Sequence, residues 1–201
     1  KGADLLILPG SKNTRGDLAW LKESGWDQVI QRHLRLGGKV IGICGGYQML
    51  GQAVHDPDAT ESSAGTSLGL GHLAIETLLQ GEKQLRNVQG HWLNQAGDIP
   101  VTGYEIHVGC TTGPDLAHPL MQLNTGPDGA RNSEDTVIGS YVHGLFDEPR
   151  LLEELLQWAG LEQIQTFDYP ALRAAEIDRL ADAVETELPL DKIFNIMQGA
   201  I

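Results

Sequence analysis

The segment Val40-Ile41-Gly42-Ile43-Cys44-Gly45-Gly46-Tyr47-Gln48-Met49-Leu50 constrains the fold more than any other part of the chain. An apolar run suited to a buried strand breaks at Cys44-Gly45-Gly46 into a predicted helix, Tyr47 to Gln52, with glycines two residues before and two after the cysteine. A nucleophile raised on a tight strand-to-helix turn needs that pattern, because bulkier side chains at those positions collide within the turn. The helix that follows aims free N–H groups at the sulfur, which should lower the thiol pKa and offer a donor to a tetrahedral oxyanion. Cys44 is therefore a candidate nucleophile. The alternative is a small buried hydrophobe at a strand end, a common fate of cysteine.

The flanking sequence spells an α/β fold. Leu5-Leu6-Ile7-Leu8 stops at Pro9-Gly10 and reads as a strand buried on both faces of a parallel sheet. Asp17 suits the cap of a crossover helix carrying Leu18, Trp20 and Leu21, and helical spacing continues through Trp26, Val29, Ile30 and Leu34 until Gly37-Gly38. Strand, helix, strand, turn and helix predict an open, mostly parallel sheet with helices on both faces. Val54 to Gly71, rich in Asp, Ser, Thr, Pro and Gly, reads as a long surface loop at the border of a site. Strand character returns at Leu73–Leu78, Gln84–Trp92 and Val101–Val108, and 113–135 reads as irregular or antiparallel. Val137–Val142 is the last predicted core strand, and C-terminal helices follow at Pro149–Trp158, Pro170–Leu188 and Leu190–Met197.

Length and charge narrow the function. The chain's 201 residues suit one domain over 1–201, and a buried first strand with no lead-in, after Lys1 rather than a start methionine, is expected of a piece of a longer protein. Fourteen basic against 27 acidic side chains give a net charge of −13, which disfavours nucleic acid and anionic lipid as partners. The longest uncharged stretch of the first half, Val40 to Val54, falls short of the roughly 20 apolar residues that span a bilayer. Two cysteines in unlike contexts and no signal peptide fit a reducing, cytoplasmic setting. No metal site is expected, because the histidines lack paired ligand spacing and the cysteines lie far apart.

A thiol nucleophile in acyl transfer needs a histidine to carry its proton. Of the seven histidines, His143 closes the core strand in Ser140-Tyr141-Val142-His143-Gly144. In an open parallel sheet the carboxyl ends of strands face one crevice, so His143 is the favoured base.

Cys44-Gly45-Gly46-Tyr47-Gln48 resembles the signature of class I, triad-type glutamine amidotransferases, whose glutaminase domain is flavodoxin-like. Leu8-Pro9-Gly10-Ser11-Lys12-Asn13-Thr14, Gly103-Tyr104-Glu105-Ile106-His107-Val108-Gly109 and Tyr141-Val142-His143-Gly144-Leu145-Phe146 extend the resemblance to the glutaminase domain of cobyric acid synthases. The resemblance implies that Cys44 attacks the side-chain amide of glutamine, His143 protonates departing ammonia, and water releases glutamate. By the same analogy Gln48 holds the substrate, and N–H groups of Gly45 and of the Gly10-Ser11 turn form the oxyanion hole.

The family passes its ammonia to an N-terminal ATP-dependent synthetase domain that amidates carboxylates of cobyrinic acid diamide. ATP and Mg are accordingly expected in that domain, and no cofactor in this chain. The family's first strand and helix are expected upstream of Lys1. The wider class carries an orienting glutamate two residues after the histidine, where this chain has Leu145. Asp147 and Glu105 are candidates for that task, and Tyr104, Glu105 and His107 are accessory candidates: along a strand Tyr104 and Ile106 face one side, Glu105 and His107 the other. Two other functions use the same residues. One is a glutaminase subunit that serves amidation of peptidoglycan precursors beside a ligase; the other is a non-catalytic interaction module with a relic site.

Overall fold

The computed structural model describes residues 2–61, 63–93, 99–164 and 168–198, so Lys1 lies outside the described residues. The chain divides into two compact units, 1–165 and 166–201. The first begins with Leu5–Leu8 (β1), Thr14–Glu23 (α1), Trp26–Arg35 (α2), Lys39–Ile43 (β2) and Gly45–Leu50 (α3). It continues through Ala53–Asp56 (β3), Gly65–Leu68 (β4), Glu76–Leu78 (β5), Gln84–Trp92 (β6), Ile99–His107 (β7) and Cys110–Thr112 (β8). Met121–Leu123 (β9), Gly126–Asp128 (β10), Ala130–Arg131 (β11), Val137–Ser140 (β12), Val142–His143 (β13) and Pro149–Trp158 (α4) complete it. The second unit holds the helices Tyr169–Glu187 (α5) and Leu190–Met197 (α6), with the Asp168 side chain capping α5 through the Ala171 N–H.

The parallel core is β1-β2-β12, with β11 antiparallel at its edge. Side chains alternate across it as a two-residue period requires. Val40 and Val137 point into a cluster with Leu18, Leu21, Ile30 and Leu50 from α1, α2 and α3. Ile41, Ile43 and Ile138 point the opposite way, toward Val88, Trp92 and Val101 of the second sheet and toward Leu151 and Leu155 of α4. Helices thus cover both faces, and on the second face α4 shares the task with the antiparallel sheet β10-β9-β6-β7-β13. A third sheet, β4-β3-β5-β8, is of mixed direction.

Several local expectations shift. Asn13, not Asp17, caps α1, its side chain accepting from the Gly16 N–H; Asp17 sits in the first turn and accepts from the Ser11 hydroxyl at 2.5 Å. The elbow helix starts at Gly45 rather than Tyr47, because the turn is tight enough to begin helical geometry directly after the cysteine. β1 lies at the edge of its sheet and Ile7 is exposed, so it is not covered on both faces. The polar segment 54–71 is not all loop: β3 and β4 pair within it, and only the connection between them is irregular. Val137–Val142 is not one strand either. β12 ends at Ser140, the Ser140 hydroxyl accepts from the Val142 N–H at 2.9 Å, and β13 leaves the parallel sheet to pair with β7. None of the described helices is long and apolar enough to cross a membrane.

Candidate active site

The elbow is built as its glycines imply. Cys44 adopts φ 52° and ψ −111°, a conformation that few non-glycine residues occupy and that marks stored strain at a functional turn. A β-carbon on Gly42 would lie 2.7 Å from Tyr47 Cα, and one on Gly46 would lie 2.6 Å from the Leu8 carbonyl carbon. Only glycine therefore lets α3 fold back against β2 and β1. The Cys44 N–H donates to Ser140 O at 2.8 Å, tying the elbow to the end of β12, and the Sγ lies 3.4 Å from Ile106 O as donor.

Burial is the largest influence on the thiol and pushes its pKa up; the Gly45 N–H pulls it down, Glu61 pushes it up and Lys83 pulls it down. The helix terminus does not win this contest, contrary to what the elbow pattern alone implies, because α3 has six residues and the sulfur is largely removed from water. The resting group is a neutral thiol that needs a base.

His143 stands beside it. Gly10 lies between the two: a β-carbon there would sit 3.3 Å from His143 Cε1, 3.5 Å from Cys44 Cβ and 4.0 Å from Sγ. Burial lowers the His143 pKa, keeping a neutral imidazole, and its buried Nε2 has no hydrogen-bond partner. Tyr104 stacks on the ring with centroids 4.9 Å apart and planes 5° off parallel. That stack stands where the sequence offers no orienting glutamate. Among the described residues neither carboxylate candidate hydrogen-bonds His143: Glu105 is buried and accepts from Arg86 at 2.7 Å, with His107 at 4.0 Å, and no bond joins Asp147 to the imidazole.

The other candidates gather around a cavity of about 710 Å³ at the carboxyl end of the parallel core. Gly10, Ser11, Cys44, Gln48, His107 and His143 all line it. Gly45 abuts the Ser11 backbone so closely that a β-carbon would lie 2.7 Å from Ser11 N, which brings the two proposed oxyanion donors side by side. Gln48 is buried rather than turned to solvent. Its Nε2 donates to Val108 O and to the Tyr141 hydroxyl, each at 3.2 Å, and its Oε1 accepts from Thr14 Oγ1 at 3.1 Å. Both amide hydrogens are spent on protein, so what Gln48 can offer a ligand is a lone pair on Oε1. His107 stacks on Tyr141 at 3.7 Å, and burial lowers its pKa.

Three lining residues, Thr60, Glu61 and Lys83, carry no motif signal, and Thr14, which supports the site, lies in the 8–14 motif without a role that the motif assigns. Glu61 accepts from the Thr14 N–H at 2.6 Å and from Thr14 Oγ1 at 3.1 Å. The buried Asp56 carboxylate fixes the loop by accepting from the N–H groups of Thr60 and Glu61 at 2.7 and 3.1 Å. The composition of 54–71 marked this loop as a border of the site but did not single out a residue within it. Among the described residues no group of three or more His, Cys, Asp and Glu side chains is arranged to hold a metal ion.

A strained cysteine at a strand-to-helix elbow, a neutral imidazole beside it and paired N–H groups suit acyl transfer through a thioester. Solved structures share the fold. A crystal structure titled as a glutamine amidotransferase is 19% identical, with a TM-score of 0.53 over 80% of this chain and 82% of that one. PurLQS from Thermotoga maritima is 16% identical, with a TM-score of 0.55 over 77% and 79% of the two chains. The family model for the CobB/CobQ-like glutamine amidotransferase domain matches residues 1–151, and the chain belongs to that family of amidotransferase enzymes.

Proposed function

We propose that this chain is the glutaminase of a cobyric acid synthase and hydrolyses free glutamine through a Cys44 thioester. In the first step the Cys44 sulfur bonds to the side-chain carbonyl carbon while its proton passes to His143. The carbonyl π pair moves to oxygen, where the N–H groups of Gly45 and Ser11 receive it. The imidazolium then returns the proton to the amide nitrogen; the C–N bond breaks, ammonia leaves and the thioester carbonyl re-forms. Water attacks that carbonyl as His143 takes one of its protons, the C–S bond breaks, the proton returns to sulfur, and glutamate departs. Tyr104 holds the plane of the imidazole, and Gln48 ties the nucleophile's helix to α1 and to the segment after β7.

The observation that carries this reading is the placement of Gly10, where an added β-carbon would meet both side chains, His143 Cε1 at 3.3 Å and Cys44 Cβ at 3.5 Å. The finer assignment rests on the sequence motifs at 8–14, 103–109 and 141–146, which resemble cobyric acid synthases. In that setting the ammonia feeds a separate ATP- and Mg-dependent synthetase domain that amidates cobyrinic acid diamide.

The test pairs the chain with its synthetase. Cys44→Ala should abolish glutamine-dependent amidation of cobyrinic acid diamide and spare amidation driven by added ammonium, since the synthetase does not use the thiol. His143→Asn should lower glutaminase turnover by about 10²- to 10⁴-fold, the usual contribution of a general acid and base, with the fold retained. Equal loss of both amidation routes in Cys44→Ala overturns the thioester role. Amidation of a peptidoglycan precursor in place of cobyrinic acid diamide overturns the finer assignment.

A further inference from the structure

Tyr141 is the single residue between β12 and β13, and neither strand's ladder holds it. Its side chain has to. Resting on the glutaminase reading above, we propose that the Thr77–Thr111 pair of the third sheet is a positioning element for His143, acting through the Tyr141 hydroxyl.

The Tyr141 ring is clamped on two sides. His107 stacks on it with centroids 3.7 Å apart and planes 17° off parallel, and Tyr47 meets it edge to face at 5.1 Å and 77°. Such contacts fix the plane of a ring but leave it free to slide within that plane. The hydroxyl at the rim stops the slide: it accepts from Gln48 Nε2 at 3.2 Å and lies 2.5 Å from Thr111 Oγ1, which lies 2.8 Å from Thr77 Oγ1.

Hydrogen counting gives this chain a direction. An amide nitrogen only donates, so the Tyr141 oxygen accepts there and keeps its own hydrogen for Thr111. A phenol is a stronger acid than an alcohol, so Tyr141 donates to Thr111 and Thr111 donates to Thr77, each bond polarising the next. Thr77 and Thr111 stand opposite one another in the β5–β8 register, and Thr77 is fully buried, so the third sheet sets where the chain ends. None of the third sheet's strand residues lines the catalytic cavity, so an effect of Thr77 or Thr111 on turnover is indirect. The lever is short. β13 has only two paired residues, Val142 and His143, and moves with Tyr141. The elbow does not, because the Cys44 N–H bonds to Ser140 O, ahead of the joint.

The test follows glutamate release by the full chain with its synthetase. Thr111→Val keeps the side chain's shape and removes the hydroxyl. A 1 Å misplacement of a catalytic group costs on the order of a hundredfold, so a smaller shift of His143 should lower kcat by about 5- to 50-fold with KM within about threefold of wild type. Thr111→Ser restores the hydroxyl and should bring kcat back to within about threefold. Thr111→Val and Tyr141→Phe cut one link, so the loss in the double variant should fall short of the product of the single losses by at least about threefold. Iodoacetamide labelling of Cys44 at about pH 9.5, where hydroxide rather than imidazole takes the proton, should stay within about threefold of wild type in Thr111→Val. Should Thr111→Val not fold, Thr77→Val cuts the chain one link further out, with an expected fall in kcat of about 3- to 10-fold.

A folded Thr111→Val chain with wild-type kcat overturns the proposal, whatever its unfolding midpoint, by making the pair a prop for stability alone. A loss that Thr111→Ser does not recover overturns it too, since strand packing rather than the hydroxyl would be the cause, and so do losses that multiply in the double variant. Labelling that slows as much as turnover places the effect on the elbow instead of on His143. A wild-type chain that releases no glutamate beside its synthetase overturns the glutaminase reading itself, and this proposal with it.

Discussion

Replacing Gly10 by alanine puts a methyl group between Cys44 and His143. Gly10 is not in the left-handed backbone region, so alanine brings no conformational strain, and the loss of unfolded-chain freedom even favours it by about 0.4–1 kcal/mol. The new methyl would meet His143 Cε1 at 3.3 Å, slightly inside comfortable contact, and would stand 4.0 Å from Cys44 Sγ. The two effects on stability oppose one another, and the expected net change is within about 1 kcal/mol. Chemistry responds differently. The methyl occupies space that the substrate carbonyl needs between sulfur and imidazole, or displaces the imidazole, and a displacement near 1 Å costs on the order of a hundredfold in rate. Urea unfolding gives the first quantity, and single-turnover glutamate release in the presence of the synthetase gives the second. A variant with normal stability and turnover within threefold of wild type would refute the placement of Cys44 and His143 on either side of Gly10.

Other expectations follow from the same geometry. Gly46→Ala should destabilise by about 1–3 kcal/mol or more, because the Leu8 carbonyl that its β-carbon meets is backbone and cannot turn aside; an unfolding midpoint equal to wild type would contradict the elbow. Asp128 is pushed by burial to a pKa of about 6, with the Ser140 hydroxyl working against the shift and Glu105 adding to it. Its folded pKa lies above the unfolded one, so the wild-type chain should lose stability as pH rises from about 4 to about 6, by up to roughly 3 kcal/mol. Asp128→Asn mimics the protonated acid and should raise the melting temperature at pH 8 but not at pH 4. Equal gains at both pH values would remove the buried charge as their cause.

Sequence made the nucleophile legible because its constraint is local. Gly42 and Gly46 are needed by backbone atoms a few residues away, so their spacing reports the turn directly. The parallel core was legible for a similar reason: the runs at 40–43 and 137–140 are buried throughout, and the run at 5–8 is as apolar although Ile7 faces solvent at the sheet edge. The side of the cavity around Gln48 was not. Thr14, Gln48 and Glu61 meet through side-chain hydrogen bonds that span 34 and 47 residues, and no periodicity records such contacts. The orienting contact on His143 was hidden in the same way. Tyr104 reaches the imidazole only because β13 pairs with β7, setting His143 opposite Tyr104, a register that depends on where the chain leaves the parallel sheet.

That departure at Tyr141 means that the two residues proposed for the chemistry, Cys44 and His143, hang from different sheets. Cys44 follows β2 of the parallel core and touches the antiparallel sheet only through its side chain, whose Sγ faces Ile106 O, whereas the backbone of His143 is paired into the antiparallel sheet itself. Substitutions that shift one sheet alone should change the distance between the two side chains without rebuilding the elbow. Substitutions in the antiparallel sheet should therefore move His143 while the strained turn at Cys44, closed by Gly42 and Gly46, stays as it is.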